Sequence, residues 1–186
     1  ESIFQQMAQE ADPVPEWVVV SAGTGGTSAT IGRFTRYRQL DTRLCVADPE
    51  NSVFYDYFHS GDAALTLARG SRIEGIGRPR VEPSFRRELI DHMIRVPDAA
   101  SCAAIHYLRK RHGLNCGAST GTNLVAAFQL MAEMKRAGRS GSLVTLICDP
   151  GERYQDKYYS ADWLAAQGLD IEPDLARLAQ FHETGR

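Results

Sequence analysis

Two glycine-rich turns in this 186-residue chain combine residue types suited to holding an anion. The first, Gly23-Thr24-Gly25-Gly26-Thr27, follows the β-branched run Trp17-Val18-Val19-Val20-Ser21 and precedes a segment in which Ile31, Phe34 and Tyr37 recur at helical spacing. The run suits a strand buried on both faces, and the spacing suits a helix that starts directly from the turn. Glycine permits positive φ, the first helical N–H groups lack intrahelical partners, and the helix dipole favours negative charge. A strand, glycine turn and helix in that order therefore bind phosphate, with the hydroxyls of Thr24 and Thr27 as additional donors. The same residues would also serve a tight turn whose glycines matter only for packing. In the second turn, Gly117-Ala118-Ser119-Thr120-Gly121, Ser119 stands where a serine commonly caps a helix.

Other chemistries find less support. No G-K-[ST] follows Gly23 at the distance a Walker loop requires. Gly23 and Gly25 fill the first two glycines of a dinucleotide fingerprint, but Ser28 occupies the position that wants glycine or alanine. Asp48, at the end of the next strand, could mimic the acid that binds a ribose hydroxyl, which keeps an NAD-binding oxidoreductase as an alternative. Cys45, Cys102, Cys116 and Cys148 form no C-x-x-C pair and the five histidines no H-E-x-x-H, so buried or idle thiols are expected rather than a disulfide or metal framework. A formal net charge of −2 supplies no basic field for nucleic acid or an anionic membrane. No apolar run approaches the roughly 20 residues of a membrane helix. Together with the lack of a leader pattern, this gives the expectation of a cytoplasmic protein.

The elements that must position the turns follow from periodicity. A helix is expected over Thr27 to Leu40 and a second strand over Arg43 to Ala47, stopped by Asp48-Pro49. Strand, helix, strand is a βαβ unit, so these strands should be parallel. Met93 to Val96 reads as a third strand, Ala99 to Arg111 as a helix ending at Gly113, Thr122 to Arg136 as a helix, and Leu143 to Cys148 as a fourth strand. The tail from Ala161 is helical in character, as is Ile3 to Ala8. The expectation is one α/β domain of three layers with a mostly parallel sheet. The basic cluster His106, Arg109, Lys110, Arg111 and His112 reads as a solvated helix end, and Glu152-Arg153-Tyr154 as an exposed loop.

V-V-V-S-A-G-T-G-G-T-S-A-T-I-G-R-F resembles the phosphate loop of the fold type II pyridoxal-phosphate enzymes, the cysteine synthase and cystathionine β-synthase family. Glu74-Gly75-Ile76-Gly77 resembles the family's E-G-I-G segment, Gly117 to Gly121 its G-x-S-x-G turn, and Asp149-Pro150-Gly151-Glu152-Arg153-Tyr154 the segment after its late strand. Pro150 departs from the serine or glycine often found there. The stretches S-R-I-E-G-I-G-R-P-R-V-E-P-S-F and S-T-G-T-N-L look most like the bacterial cysteine desulfhydrase branch.

The resemblance implies that backbone N–H groups of Gly23, Thr24, Gly25, Gly26 and Thr27 cradle the phosphate of pyridoxal 5′-phosphate, that Ser119 hydrogen-bonds the pyridine nitrogen, and that Gly75, Ile76 and Gly77 lie beside an amino-acid substrate. A neutral hydroxyl does not hold the ring nitrogen protonated as a carboxylate does, so β-elimination from cysteine, giving sulfide, pyruvate and ammonia, is the implied reaction. β-Replacement, as in cysteine synthase or cystathionine β-synthase, is its alternative, and a homodimer is the implied assembly. The family's Schiff-base lysine and its asparagine loop lie in an N-terminal segment that has no counterpart here. Lys110, Lys135 and Lys157 are the only lysines, and each lies outside the required context. The expectation is therefore the C-terminal part of a longer catalytic domain, inactive by itself, with a noncatalytic scaffold as the remaining alternative.

Overall fold

The computed structural model describes residues 1–185. Four strands form one wholly parallel sheet: β1 Trp17–Ser21, β2 Arg43–Pro49, β3 His92–Val96 and β4 Leu143–Thr145, in the order β3-β2-β1-β4. Trp17 pairs with Arg43 and Ser21 with Ala47 along β1 and β2, and Val19 reaches Thr145 on the other side. Helices α1 Ser2–Met7, α2 Gly26–Tyr37, α3 Phe54–Ser60, α4 Asp98–His112, α5 Ala118–Arg136, α6 Ala161–Ala166 and α7 Glu172–Thr184 complete the chain.

Strand side chains alternate between two apolar layers, because successive residues of a strand point to opposite faces. Val18, Val20, Leu44, Val46 and Met93 pack with Ile31 of α2, Phe54 of α3 and Phe85. Val19, Cys45, Ala47, Ile94 and Val96 pack with Ala100 of α4 and with Ala126, Ala127 and Leu130 of α5. The sheet is therefore covered on both faces, as the continuous apolar runs of β1 and β2 require, and the three-layer α/β expectation holds. A further apolar cluster joins α4 to Tyr154, Tyr158, Leu164 and Leu178. No helix among the described residues is long and apolar enough to cross a membrane.

Several boundaries differ from the sequence expectation, among them that of β2, which runs through Asp48 to Pro49 rather than stopping at Ala47. Helix α5 begins at Ala118 rather than Thr122, with Gly117 as its N-cap, so Ser119 lies inside the first turn and does not cap the helix. Gly121 makes this possible, since a Cβ there would lie 2.0 Å from the Ser101 carbonyl oxygen of α4. Strand β4 stops at Thr145 instead of reaching Cys148, because α5 side chains take over the next backbone groups. Asn123 Nδ2 donates to the Leu146 carbonyl at 3.3 Å, and the Cys148 N–H donates to Thr120 Oγ1 at 2.9 Å. Helix α2 ends at Tyr37 rather than Leu40, where Gln39 turns to φ 51° and the Leu40 N–H closes on the Thr35 carbonyl at 2.9 Å.

Candidate active site

The chain leaves β1 toward β2 on one side, while β4 returns to the other side of β1. Strand order reverses between β1 and β4, and in open parallel sheets the crevice beyond the carboxyl ends at such a point is where ligands bind. The Gly23 turn leaves β1 at that end, and Leu146 to Asp149 leave β4 there. Two adjoining chambers occupy the crevice. One, about 340 Å³, is lined by Ser21 to Thr27 with Gly75 and Arg78. The other, about 300 Å³, is lined by Ser119, Asn123, Glu74, Gly75, Ile76 and Asp149, among others. They share Ser21, Gly23, Thr27 and Gly75, so the glycine turn and Ser119 face one continuous space.

The turn is built to leave its N–H groups free. Gly25 is the N-cap of α2 in a left-handed conformation, φ 90°, and no side chain caps the helix. A Cβ on Gly25 would lie 2.6 Å from Phe85 Cα, whereas one on Gly26 would meet nothing within 4 Å. Gly26 thus opens onto the chamber, and open space beside a bare helix N-terminus is suited to an anion. Gly23 has a different reason to be glycine: a Cβ there would lie 2.4 Å from the Gly75 carbonyl oxygen. The Gly77 N–H also donates to the Ala22 carbonyl at 2.8 Å, so the Glu74–Gly77 segment docks directly on the glycine turn. Gly75 and Gly77 both have positive φ, 85° and 71°. Gly75 and Ile76 line the Ser119 chamber, while Gly77 lines neither chamber and packs against Pro49, Ser71 and Ser52. Tyr158 supports the segment from below, its hydroxyl accepting from the Glu74 N–H at 2.8 Å and donating to the Arg72 carbonyl at 2.9 Å.

The second turn is held by the segment after β4. The Gly117 N–H donates to the Asp149 carbonyl at 2.8 Å, Cys116 forms an isolated bridge with Pro150, and a Cβ on Gly151 would lie 2.7 Å from the Cys116 nitrogen. Glu152-Arg153-Tyr154 is accordingly not a wholly exposed loop: Tyr154 is buried and its hydroxyl donates to Asp149 Oδ2. Burial, reinforced by Asp149, pushes the Tyr154 phenol up to about 12, which keeps it a neutral donor. Ser119 is buried on the chamber wall, and its hydroxyl has no partner among the described residues.

The remaining candidates fall outside this crevice or lack reach. Asp48 is fully buried, pushed up to about 6 by desolvation, and accepts from the Tyr55 N–H at the start of α3 at 2.9 Å, so it is not presented to a ribose. None of the three lysines lines either chamber. Lys157 pairs with Glu74, Lys135 donates to the Thr184 carbonyl at 2.8 Å, and Lys110 is exposed at the end of α4. Cys45, Cys102 and Cys116 are buried, and Cys148 is exposed beside Asn123. A broader depression of about 780 Å³ lies between α4 and α7, beside Arg109, Lys110 and Arg111, away from both glycine turns.

Comparison with known proteins shows the family of the chain that carries this crevice. The pattern described as "Pyridoxal-phosphate dependent enzyme" matches residues 1–149. The chain belongs to that family. It is 55% identical to the L-cysteine desulfhydrase Cds1 of Mycobacterium tuberculosis over all 186 residues, which is 50% of that protein. Identity is 34% to the cysteine synthase 2 of Neurospora crassa, over 98% of this chain and 41% of the relative. It is 32% to the cysteine synthase 2 of Schizosaccharomyces pombe, over 97% and 46%. The chain spans about half the length of the curated relatives it matches. The family's cofactor fits the residues present: an open cradle at Gly26, a bare helix N-terminus, and an unpartnered hydroxyl at Ser119 on the same space.

Sequence reasoning missed Arg78, Asn123 and Asp149 as lining residues. Asn123 stands one helical turn beyond Ser119, so its place on the same face follows once α5 is known to start at Ala118.

Proposed function

We propose that the protein containing this chain is a pyridoxal-phosphate-dependent lyase that eliminates sulfide from L-cysteine and releases pyruvate and ammonia. The observation that carries the reading is the pairing of an open anion cradle at Gly26 with the unpartnered Ser119 hydroxyl across one continuous crevice. The 55% identity to a desulfhydrase over the entire chain supports the choice of substrate. On this reading residues 1–186 are the C-terminal part of the catalytic domain, and an N-terminal segment supplies the Schiff-base lysine. A homodimer and a cytoplasmic location belong to the same proposal.

Pyridoxal phosphate, when bound, supplies the electron-withdrawing ring that lets bonds at the amino acid's α-carbon break. The residues of this chain bind and orient it. The N–H groups of Gly23 to Thr27 hold the phosphate, aided by the dipole of α2. The Ser119 hydroxyl donates to the ring nitrogen without protonating it, which favours prompt expulsion of a β-substituent over a long-lived negative charge. Gly75 and Ile76 wall the space between the two ends, where a larger side chain at Gly75 would project into the crevice.

The cysteine synthase relatives favour a second reading, in which a thiol or sulfide adds at the β-carbon that the leaving group vacated, giving β-replacement, in place of release and hydrolysis by water at the α-carbon to pyruvate and ammonia. Full-length protein supplied with cysteine alone, and separately with O-acetylserine plus sulfide, distinguishes them. Sulfide and pyruvate from the first mixture are expected. Turnover of the second mixture alone would overturn the desulfhydrase reading.

A further inference from the structure

The glycine turn receives its anion with backbone dipoles, yet one full positive charge stands beside it. Arg78 lines the turn's chamber but not the Ser119 chamber, and it is the single charged residue on that wall. Its position is fixed by the turn that Gly75 and Gly77 make at positive φ, and by Nη1, which donates to the Gly77 carbonyl at 2.8 Å. Nη2 then lies over the turn, 3.6 Å from where a Cβ on Gly23 would stand. The acid that could neutralise the guanidinium does so weakly: Glu82 Oε1 is 3.9 Å from Arg78 Nε and is shared with Arg80 at 3.5 Å. Nη2 makes no hydrogen bond among the described residues, so a directed donor with its charge intact faces the anion end of the crevice.

We propose that Arg78 is a direct ligand of the cofactor phosphate, adding a charge-assisted hydrogen bond to the backbone donors of Gly23 to Thr27. The inference rests on reading the crevice as a pyridoxal-phosphate site. Its place at the turn end, away from Ser119, separates Arg78 from the part of the crevice that the amino acid would enter. An arginine suits this position because its planar fork can hold the Gly77 carbonyl with one nitrogen and aim another at a phosphate oxygen in one fixed geometry, whereas a lysine offers a point charge whose donors rotate freely.

The test uses the full-length protein freed of cofactor and titrated with pyridoxal phosphate, with pyridoxal lacking the phosphate, and with inorganic phosphate as competitor. Arg78→Gln is expected to raise the Kd for pyridoxal phosphate about ten- to hundredfold, the range of one lost charge-assisted hydrogen bond. Its Kd for pyridoxal should be unchanged, which also shows that the variant is folded. Arg78→Lys should recover part of the loss, and inorganic phosphate should compete less well against the glutamine variant. Equal Kd values for parent and Arg78→Gln, or equal losses for pyridoxal and pyridoxal phosphate, would overturn the inference. So would an unchanged cofactor Kd with a raised KM for the amino acid, which would assign Arg78 to the substrate carboxylate. Failure of the parent to bind pyridoxal phosphate at all would instead remove the reading of the crevice on which the inference stands.

Discussion

Gly25 and Gly26 are neighbours with opposite reasons to be glycine, and alanine substitution separates the two. At Gly25 the backbone is left-handed, φ 90°, which costs an L-residue about 1–2 kcal/mol. The new Cβ would also stand 2.6 Å from Phe85 Cα and 3.0 Å from Phe85 Cβ and N. Phe85 cannot retreat freely, since its ring stacks on the buried Phe54 with centroids 4.1 Å apart. Relieving such overpacking costs about 1–3 kcal/mol, so Gly25→Ala should lose about 2–5 kcal/mol of stability. At Gly26 the backbone is helical and the Cβ meets nothing, so the cofactor-free protein should be unaffected or gain up to about 1 kcal/mol. The methyl would, however, fill the space assigned to the phosphate, and cofactor affinity should fall about 5- to 150-fold, the equivalent of 1–3 kcal/mol of overpacking. Urea unfolding of cofactor-free protein and titration with pyridoxal phosphate read the two effects separately. Undiminished cofactor affinity in Gly26→Ala, or equal destabilisation by both variants, would refute the assignment of the cradle.

The remaining expectations concern Ser119, Asp48 and Arg72. Ser119→Ala should weaken cofactor binding by about one neutral hydrogen bond, roughly 0.5–1.5 kcal/mol, and reduce kcat for sulfide release by more than that affinity change. Ser119→Asp should protonate the ring and slow elimination; unchanged kinetics in both variants would leave the hydroxyl no role at the ring nitrogen. Asp48 has its folded pKa raised from 3.8 to about 6, so its contribution to stability is present below its unfolded pKa and is lost as pH rises through about 6. That loss amounts to about 3 kcal/mol, and Asp48→Asn, which keeps the acceptor for the Tyr55 N–H, should gain on the parent by up to that amount between pH 4 and pH 7. Parallel pH profiles of the urea midpoint would contradict it. Arg72 holds the fully buried Asp98 at 2.7 Å and Glu50 at 2.7 Å. Arg72→Ala should cost about 3–5 kcal/mol by stranding Asp98, and Arg72→Ala with Asp98→Asn should recover part of it in the same unfolding assay.

The parallel sheet was legible because its strands are short apolar runs, β-branched in β1, with glycine or proline close by, and the βαβ order of β1, α2 and β2 leaves one handedness for the connection. The glycine turn was legible for the same reason, since local chemistry places it between strand and helix. What could not be read were features decided by contacts distant in sequence. Ala118 to Gly121 carries glycine and small polar residues that suggest a turn, and it is helical because Gly121 lets α5 press against Ser101 of α4. Helix α3 is an aromatic run with modest helix propensity, started by the Asp48 carboxylate on the Tyr55 N–H and ended by left-handed Gly61. Tyr154 looks like a surface residue beside Glu152 and Arg153, and it is buried because Asp149 accepts its hydroxyl. Arg78 belongs to no local pattern; it reaches the crevice through the turn at Gly75 and Gly77, whose close approach to Gly23 explains why two motifs far apart in the chain depend on each other.

The central claim is that one crevice holds pyridoxal phosphate between the Gly23 turn and Ser119, and a crystal structure of the full-length protein with the cofactor tests it most directly. The account predicts the phosphate within hydrogen-bonding distance of the N–H groups of Gly23 to Thr27 and the ring nitrogen within hydrogen-bonding distance of Ser119 Oγ. A cofactor seated elsewhere, or one whose ring nitrogen faces a group other than Ser119, would contradict it.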